Sequence, residues 1–200
     1  MKASVILAHP YGLSFNHAIF GAAIASFTAA GVETFGHDLY QEGFDPVMTV
    51  GELGKDESTD PLVRRYAAEL LESGCLVFIH PNWWGQPPAI MKGYIDRVIR
   101  PPYAYDVETD NSGTSVVEGR LSGRIGVVFN TSNTEAGREE NYFHDPLESI
   151  WKRCVFGFCG MEDSRRRMFR IVETSDERQR RLWLDEVRDI IGGVAREMRA

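Results

Sequence analysis

Ala3-Ser4-Val5-Ile6-Leu7-Ala8-His9-Pro10 and Leu76-Val77-Phe78-Ile79-His80-Pro81 decide how this chain folds. Each is a continuous apolar run, the pattern of a strand covered on both faces, and each stops at His-Pro. The first continues into Ser14-Phe15-Asn16 and the second into Asn82-Trp83-Trp84-Gly85-Gln86-Pro87-Pro88, with a helical pattern after both. Loops leaving the carboxyl ends of neighbouring parallel strands form the ligand crevice of such sheets. The first loop suits an anion and the second a flat aromatic ring.

Working outward, residues 3–8 are the first strand. Apolar residues then recur at Phe15, Ile19, Ala22, Ala23, Phe27 and Ala30, a helical stripe ended by Gly31, with Ser14 as its N-cap. Val32 to Leu39 is a second strand and residues 40–59 a long surface loop. Asp60-Pro61 opens a helix with Leu62, Tyr66, Leu70 and Leu71 on one face. Cys75 to Ile79 is the third strand. Ile90, Tyr94, Ile95, Val98 and Ile99 mark the next helix, which Arg100-Pro101-Pro102 ends.

Residues 103–122, rich in Gly, Asp, Ser and Thr, read as an excursion without regular structure. Arg124 to Asn130 is the fourth strand, Pro146 to Phe158 a helical segment, and Arg167 to Val172 the fifth strand. The last helix carries Trp183, Val187, Ile190, Ile191, Val194 and Met198. Five strands alternating with helices imply an α/β fold, a parallel doubly wound sheet with right-handed crossovers. The 200 residues, 43% hydrophobic and 26% charged, suit a single domain, 1–200.

A net charge of −7 argues against a surface built for nucleic acid or anionic membrane. The basic groups at Arg165-Arg166-Arg167 and at Arg178, Arg180 and Arg181 have acidic neighbours and read as solvated surface. The first apolar segment is too short for a secretory core or a membrane span, so a cytoplasmic address is expected. Cys75, Cys154 and Cys159 lie in apolar surroundings with no CxxC spacing and read as reduced core residues. His9, His80 and His144 make a poor metal triad, because Pro follows the first two in stiff turns and no acidic partner is evident. No metal is expected.

The free N–H groups and positive end of the first helix favour a phosphate, and Ser14 and Asn16 add side-chain donors. Ser14 serves equally well as a simple cap and Asn16 as a turn residue. Neither a GxxxxGK[ST] loop nor a GxGxxG fingerprint occurs, and there is no GxSxG elbow. Trp83 and Trp84, hemmed by Gly and Pro, make a stiff aromatic wall. Adjacent residues face opposite ways, so one of the two indoles is expected to pack inward.

His-Pro before Ser14-Phe15-Asn16, then Asp38-Leu39-Tyr40 with Phe44-Asp45-Pro46, then the run from Pro81 through Trp83-Trp84-Gly85-Gln86-Pro87-Pro88-Ala89-Ile90-Met91-Lys92-Gly93-Tyr94 to Val98 resembles the NAD(P)H:quinone oxidoreductase family of the flavodoxin-like fold. The resemblance spans about residues 1–160. It implies a five-stranded sheet of order 2-1-3-4-5 with helices on both faces, a non-covalent flavin and a homodimer. By the same resemblance His9, Ser14, Phe15, Asn16 and Ala18 hold the flavin phosphates, and Pro81, Asn82, Trp83, Trp84 and Gly85 lie along the ring.

The family's further flavin loop, often Thr-Thr-Gly-Gly, is replaced here by Asn130-Thr131-Ser132-Asn133-Thr134. Thr131, Ser132 and Asn133 keep hydrogen-bonding side chains without the glycines' close backbone approach. Tyr142 and His144 stand where the resemblance puts a catalytic Tyr/His pair beside the ring, and His144 reads equally as an exposed loop residue.

The implied activity is two-electron hydride transfer from NAD(P)H through the flavin to a quinone or similar acceptor. FAD is placed ahead of FMN on the nearest-looking relatives. The alternatives are a flavin-binding sensor or accessory subunit of a transporter, and an azo or nitro reductase on the same fold. Trp83, Trp84, Tyr103 and Tyr105 are more aromatic surface than one small domain's loops leave exposed, which is a physical motive for the dimer.

Overall fold

The computed structural model describes residues 1–109 and 112–199. Its elements run β1 (Lys2–Leu7), α1 (Phe15–Ala29), β2 (Glu33–Asp38), α2 (Pro61–Glu72), β3 (Cys75–Pro81), α3 (Ala89–Val98), β4 (Tyr105–Thr109), β5 (Ser115–Gly119), β6 (Ile125–Ser132), α4 (Ala136–Asn141), α5 (Pro146–Ser149), β7 (Asp163–Arg170) and α6 (Glu177–Glu197). A π-helical turn, Ile150–Gly157, extends α5, and a short 3₁₀ turn, Val50–Glu52, interrupts the loop after β2.

β2, β1, β3, β6 and β7 form one parallel sheet in that order. The expected order, 2-1-3-4-5, becomes 2-1-3-6-7 because two strands intervene in the chain. β4 and β5 pair antiparallel as a separate hairpin, Tyr105 opposite Gly119, within the stretch expected to lack regular structure. Its signal was the alternation in Tyr105-Asp106-Val107-Glu108-Thr109, short but β-branched. Asp110 and Asn111, from that same stretch, lie outside the described residues.

β3 is buried along all seven residues, as its unbroken apolar run requires of a central strand. Its side chains alternate between two cores. Leu76 and Phe78 join Ile6, Tyr66, Tyr94, Val128 and Trp151 under α2, α3 and α5. Val77 and Ile79 join Leu7, Ile19, Phe27, Phe129, Trp183 and Ile191 under α1 and α6. At roughly 1.5–3 kcal/mol for each large apolar side chain fully buried, these two layers hold the sheet.

The helix boundaries follow local chemistry. Ser14 caps α1 by accepting from the His17 N–H, and Asp60 caps α2 by accepting from the Leu62 N–H, with Pro61 in the first turn. On α2, Val63 and Ala67 are buried with Tyr66 and Leu70, whereas Leu71 is 42% exposed.

α3 buries an arginine. The Arg97 guanidinium reaches the Glu52 carboxylate at 2.9 Å and 3.0 Å, the Asp45 carbonyl at 2.6 Å and Asp60 Oδ2 at 3.1 Å. This ties down the loop that follows β2, one turn of which crosses Gly93 so closely that a Cβ there would lie 2.3 Å from the Pro46 Cα.

The Arg166 side chain is also largely enclosed, 4% exposed and bonded to Asp145 and Glu148. It corrects the reading of the triple arginine as solvated surface, because strand alternation turns Arg166 inward toward α5. Cys75 and Cys159 are buried, and burial pushes the Cys159 thiol up to about 12. Cys154 is exposed, contrary to the expectation of three core thiols. Among the described residues, no helix is long and apolar enough to cross a membrane.

Candidate active site

The connections run to opposite sides of β1, β2 on one flank and β3 on the other, so the crevice opens at the carboxyl ends of β1 and β3. Register sets Leu7 beside Ile79 and Pro81 beside Thr131, bringing the loops after β1, β3 and β6 to one edge. Two cavities share that edge. One, of about 400 Å³, is lined by His9, Ser14, Phe15, Asn16, Pro81, Trp83, Thr131 and Ser132. The other, of about 760 Å³, is lined by Trp84, Gly85, Glu135, Arg138, Glu139, Phe143 and Pro146. Asn82, Asn133 and Thr134 line both, so the two join.

In the smaller cavity the Asn16 amide donates to Thr131 Oγ1 at 2.9 Å, while its Oδ1 is buried without a partner among the described residues. Amide orientation is interchangeable, so a turned Asn16 would offer N–H there and accept from Thr131. Burial holds the His9 imidazole below its usual range, and Nδ1 accepts from the Tyr11 N–H at 3.1 Å. Phe15 packs on Phe169 and Trp183 as an apolar floor. Ala18 stands exposed one turn in, its N–H bonded to the Ser14 carbonyl, outside the cavity lining.

The loop after β3 is a tight turn closed by Trp83 N–H to the Gln86 carbonyl at 3.1 Å and the reverse bond at 3.0 Å. Its central residues have positive φ, 58° at Trp84 and 70° at Gly85, the geometry of a type I′ turn. Glycine at 85 is required twice over, because a Cβ would also meet Pro146 Cγ at 2.8 Å. Neither tryptophan packs inward. Trp84 is 99% exposed and Trp83 42%, because the turn leaves the sheet before strand alternation can send one indole inward.

Asn82 joins the parts. Its Oδ1 accepts from the Gly85 N–H at 3.0 Å, its Nδ2 donates to Glu139 Oε1, and its own N–H donates to the Thr131 carbonyl at 2.7 Å. Glu139 is 1% exposed, and its Oε2 has no partner among the described residues. Ser132 Oγ accepts from the Thr134 N–H, and Asn133 Oδ1 from the Glu173 N–H.

Beneath the turn, His80 is fully buried. Its Nδ1–H donates to the Pro81 carbonyl, and Nε2 accepts from Trp151 at 2.9 Å and Asn130 at 3.0 Å. Burial lowers its pKa to about 4, so it is a neutral strut under the loop.

Tyr142 is 74% exposed and His144 is exposed, and neither lines either of these two cavities. α4 turns Arg138 and Glu139 toward the ring-sized cavity in their place, and Phe143 follows. Glu139 was hidden in the sequence because Arg138-Glu139-Glu140-Asn141 reads as an ordinary polar stretch.

A family model described as flavodoxin-like fold matches residues 1–189. An uncharacterized NAD(P)H oxidoreductase of Haemophilus influenzae is 25% identical over 189 residues, 92% of this chain and 91% of that one. An NAD(P)H:quinone oxidoreductase from Methanothermobacter marburgensis superposes with a TM-score of 0.79 at 21% identity, covering 97% of this chain and 96% of that one. An FMN-dependent NADH-azoreductase of Bacillus anthracis, solved in complex with FMN, gives 0.70 at 19% identity, covering 99% of each. The chain is an oxidoreductase belonging to the NAD(P)H:quinone oxidoreductase family of flavodoxin-like proteins.

Proposed function

We propose that this chain holds a flavin across the joined cavities and uses NAD(P)H to reduce a quinone. The observation that carries the reading is the pair of unpartnered buried acceptors. Asn16 Oδ1 lies at the anion-suited end and Glu139 Oε2 at the ring-suited end. Buried polar atoms without partners are costly: a ligand phosphate satisfies Asn16 once its amide is turned to present N–H, and a ligand N–H satisfies Glu139. When bound, the flavin supplies two-electron hydride chemistry.

The chain's own share is binding and orientation. His9, Ser14, Phe15 and Asn16 would take the phosphate end, while Pro81, Asn82, Trp83, Trp84 and Gly85 flank the ring. The hydroxyls of Thr131 and Ser132 and the Asn133 amide would meet its polar edge. Glu139 would accept an N–H from the ring or from a bound carboxamide. Ala18, Tyr142 and His144 have no place in that arrangement, and Arg138 supplies a cationic group near the ring instead. FAD is the proposed form and FMN the alternative.

Trp84 and Phe143 line the larger cavity and Trp83 the smaller, all three exposed, and a second copy of the chain covering this aromatic rim would make a homodimer. Sedimentation velocity at micromolar concentration tests this, and a monomer would count against it. The cytoplasm is the proposed location.

The decisive observation is colour. The purified protein should be yellow, bleach when NADPH is added without oxygen, and recover on adding a quinone. Protein that takes up neither FAD nor FMN would overturn the reading. Azo or nitro compounds outpacing quinones would move the acceptor class, and negligible turnover with bound flavin would favour a sensor or a transporter's accessory subunit.

Trp84→Ala separates binding from stability. A residue exposed over 99% of its surface contributes within ~0.5 kcal/mol to folding. The unfolding midpoint should therefore hold, while KM for the acceptor or NADPH rises roughly fivefold through lost stacking. Unchanged kinetics would remove Trp84 from the binding surface.

A further inference from the structure

At the mouth of the smaller cavity, Ser14 Oγ lies 2.8 Å from His17 Nδ1, and His17 Nε2 lies 2.9 Å from Asp38 Oδ2. Neither His17 nor Asp38 was among the residues expected to serve the ligand. Both side chains are largely buried, 16% and 9% exposed. Asp38 ends β2, and its other oxygen accepts from the Tyr40 and Gln41 N–H groups. These bonds fix the carboxylate in one direction. A carboxylate can only accept, so His17 must carry its proton on Nε2.

That constraint decides what Ser14 can do. Ser14 Oγ already accepts from the His17 backbone N–H as the α1 cap. With a neutral imidazole, Nδ1 is an acceptor and consumes the Ser14 hydroxyl proton. With an imidazolium, Nδ1–H donates to Ser14 Oγ instead, and the hydroxyl proton turns to the cavity. A phosphate needs donors, and a carboxylate this close would repel it unless balanced by a cation.

We propose that His17 and Asp38 are positioning residues for the ligand's phosphate, and that phosphate binding draws a proton from solvent onto His17 so that Ser14 becomes its donor. This rests on the flavin reading above. The 3% exposed Asn16, with one amide end unpartnered in the same cavity, points independently to a ligand there. The charged or titratable groups facing His17 are Asp38 from the end of β2 and His9 from the end of β1, its ring 6.3 Å away edge-on. Burial favours the neutral form of His9.

The test compares FMN with riboflavin, which lacks the phosphate, by fluorescence titration of the flavin-free protein. FMN affinity should fall about tenfold between about pH 6.5 and 8.5, where the FMN phosphate is mostly dianionic, while riboflavin affinity stays flat. His17→Gln keeps a bond to Asp38 without titrating. It should bind FMN roughly tenfold more weakly at the acid end, with no pH dependence. Proton uptake on FMN binding, read by calorimetry in buffers of different ionisation enthalpy, needs no variant and should be a sizeable fraction of one proton. An equal pH slope for riboflavin, a slope unchanged in His17→Gln, or no proton uptake would each overturn the role of His17 while leaving flavin binding intact. Failure to bind either flavin at any pH would instead bring down the reading beneath it.

Discussion

Arg97→Ala lowers the unfolding free energy by about 3–5 kcal/mol, the cost of removing one partner from a buried ion pair. The side chains of Arg97 and Glu52 are 3% and 1% exposed. Without the guanidinium, Glu52 keeps only the Ser58 hydroxyl and the Thr49 backbone N–H and hydroxyl, and the Asp45 carbonyl loses its donor. The loop after β2 then loses its tie to α3. Urea unfolding at neutral pH measures the loss, and a variant within 1 kcal/mol of the parent, a margin far below ~3 kcal/mol, would refute the assignment. Arg97→Lys should recover only part of it, because an ammonium cannot reproduce the guanidinium fork.

The same pair shapes acid stability. Burial alone would raise the Glu52 carboxyl, but hydrogen bonds from Arg97, Ser58 and Thr49 outweigh it and hold the pKa at about 2, below the ordinary 4.5. A depressed carboxyl stabilises the fold fully above its unfolded value, and the contribution disappears as pH falls from about 4.5 toward 2. That contribution is on the order of 3 kcal/mol. The parent should therefore lose stability steeply over this interval, and Arg97→Ala should show a flatter acid limb.

Asn82→Ala should weaken flavin binding about a hundredfold, near 3 kcal/mol. One side chain both fixes the turn at Gly85 and supplies the sole hydrogen bond that the buried Glu139 carboxylate has among the described residues. Removing it loosens the aromatic turn and leaves both Glu139 oxygens unpartnered against the ring-sized cavity. Adding Glu139→Gln to Asn82→Ala should recover stability, since a neutral amide is far cheaper to leave buried than a carboxylate. Titration of the flavin-free protein with FAD and FMN, alongside urea unfolding, separates the two effects. Affinity within a factor of about three of the parent would show that Asn82 only braces the loop.

The parallel sheet was legible where burial on both faces writes itself as an apolar run, as in Leu76-Val77-Phe78-Ile79. It was least legible at β7, where Arg165, Arg166 and Arg167 interrupt the pattern and shifted the expected strand four residues late. Those side chains find acids on α5 and α6, Asp145, Glu148, Glu186 and Glu197, which only the folded chain brings near. The loops after β1 and β3 could be read because Ser14 and the paired tryptophans follow strand ends directly. Glu139, His17 and Asp38 could not. Each is ordinary in its local sequence and acquires meaning through partners between 3 and 57 residues away.

The left-handed backbone at Trp84 bears on how this protein could be re-engineered. A turn with positive φ at both central positions is most readily built from Asn-Gly. A procedure that selects sequences for folding stability alone would therefore rewrite Trp84 as asparagine, and would delete the most solvent-open ring at the cavity mouth while improving the backbone. The tension between the two choices marks residue 84 as a place where selection for thermal robustness and selection for turnover should pull variant libraries in opposite directions.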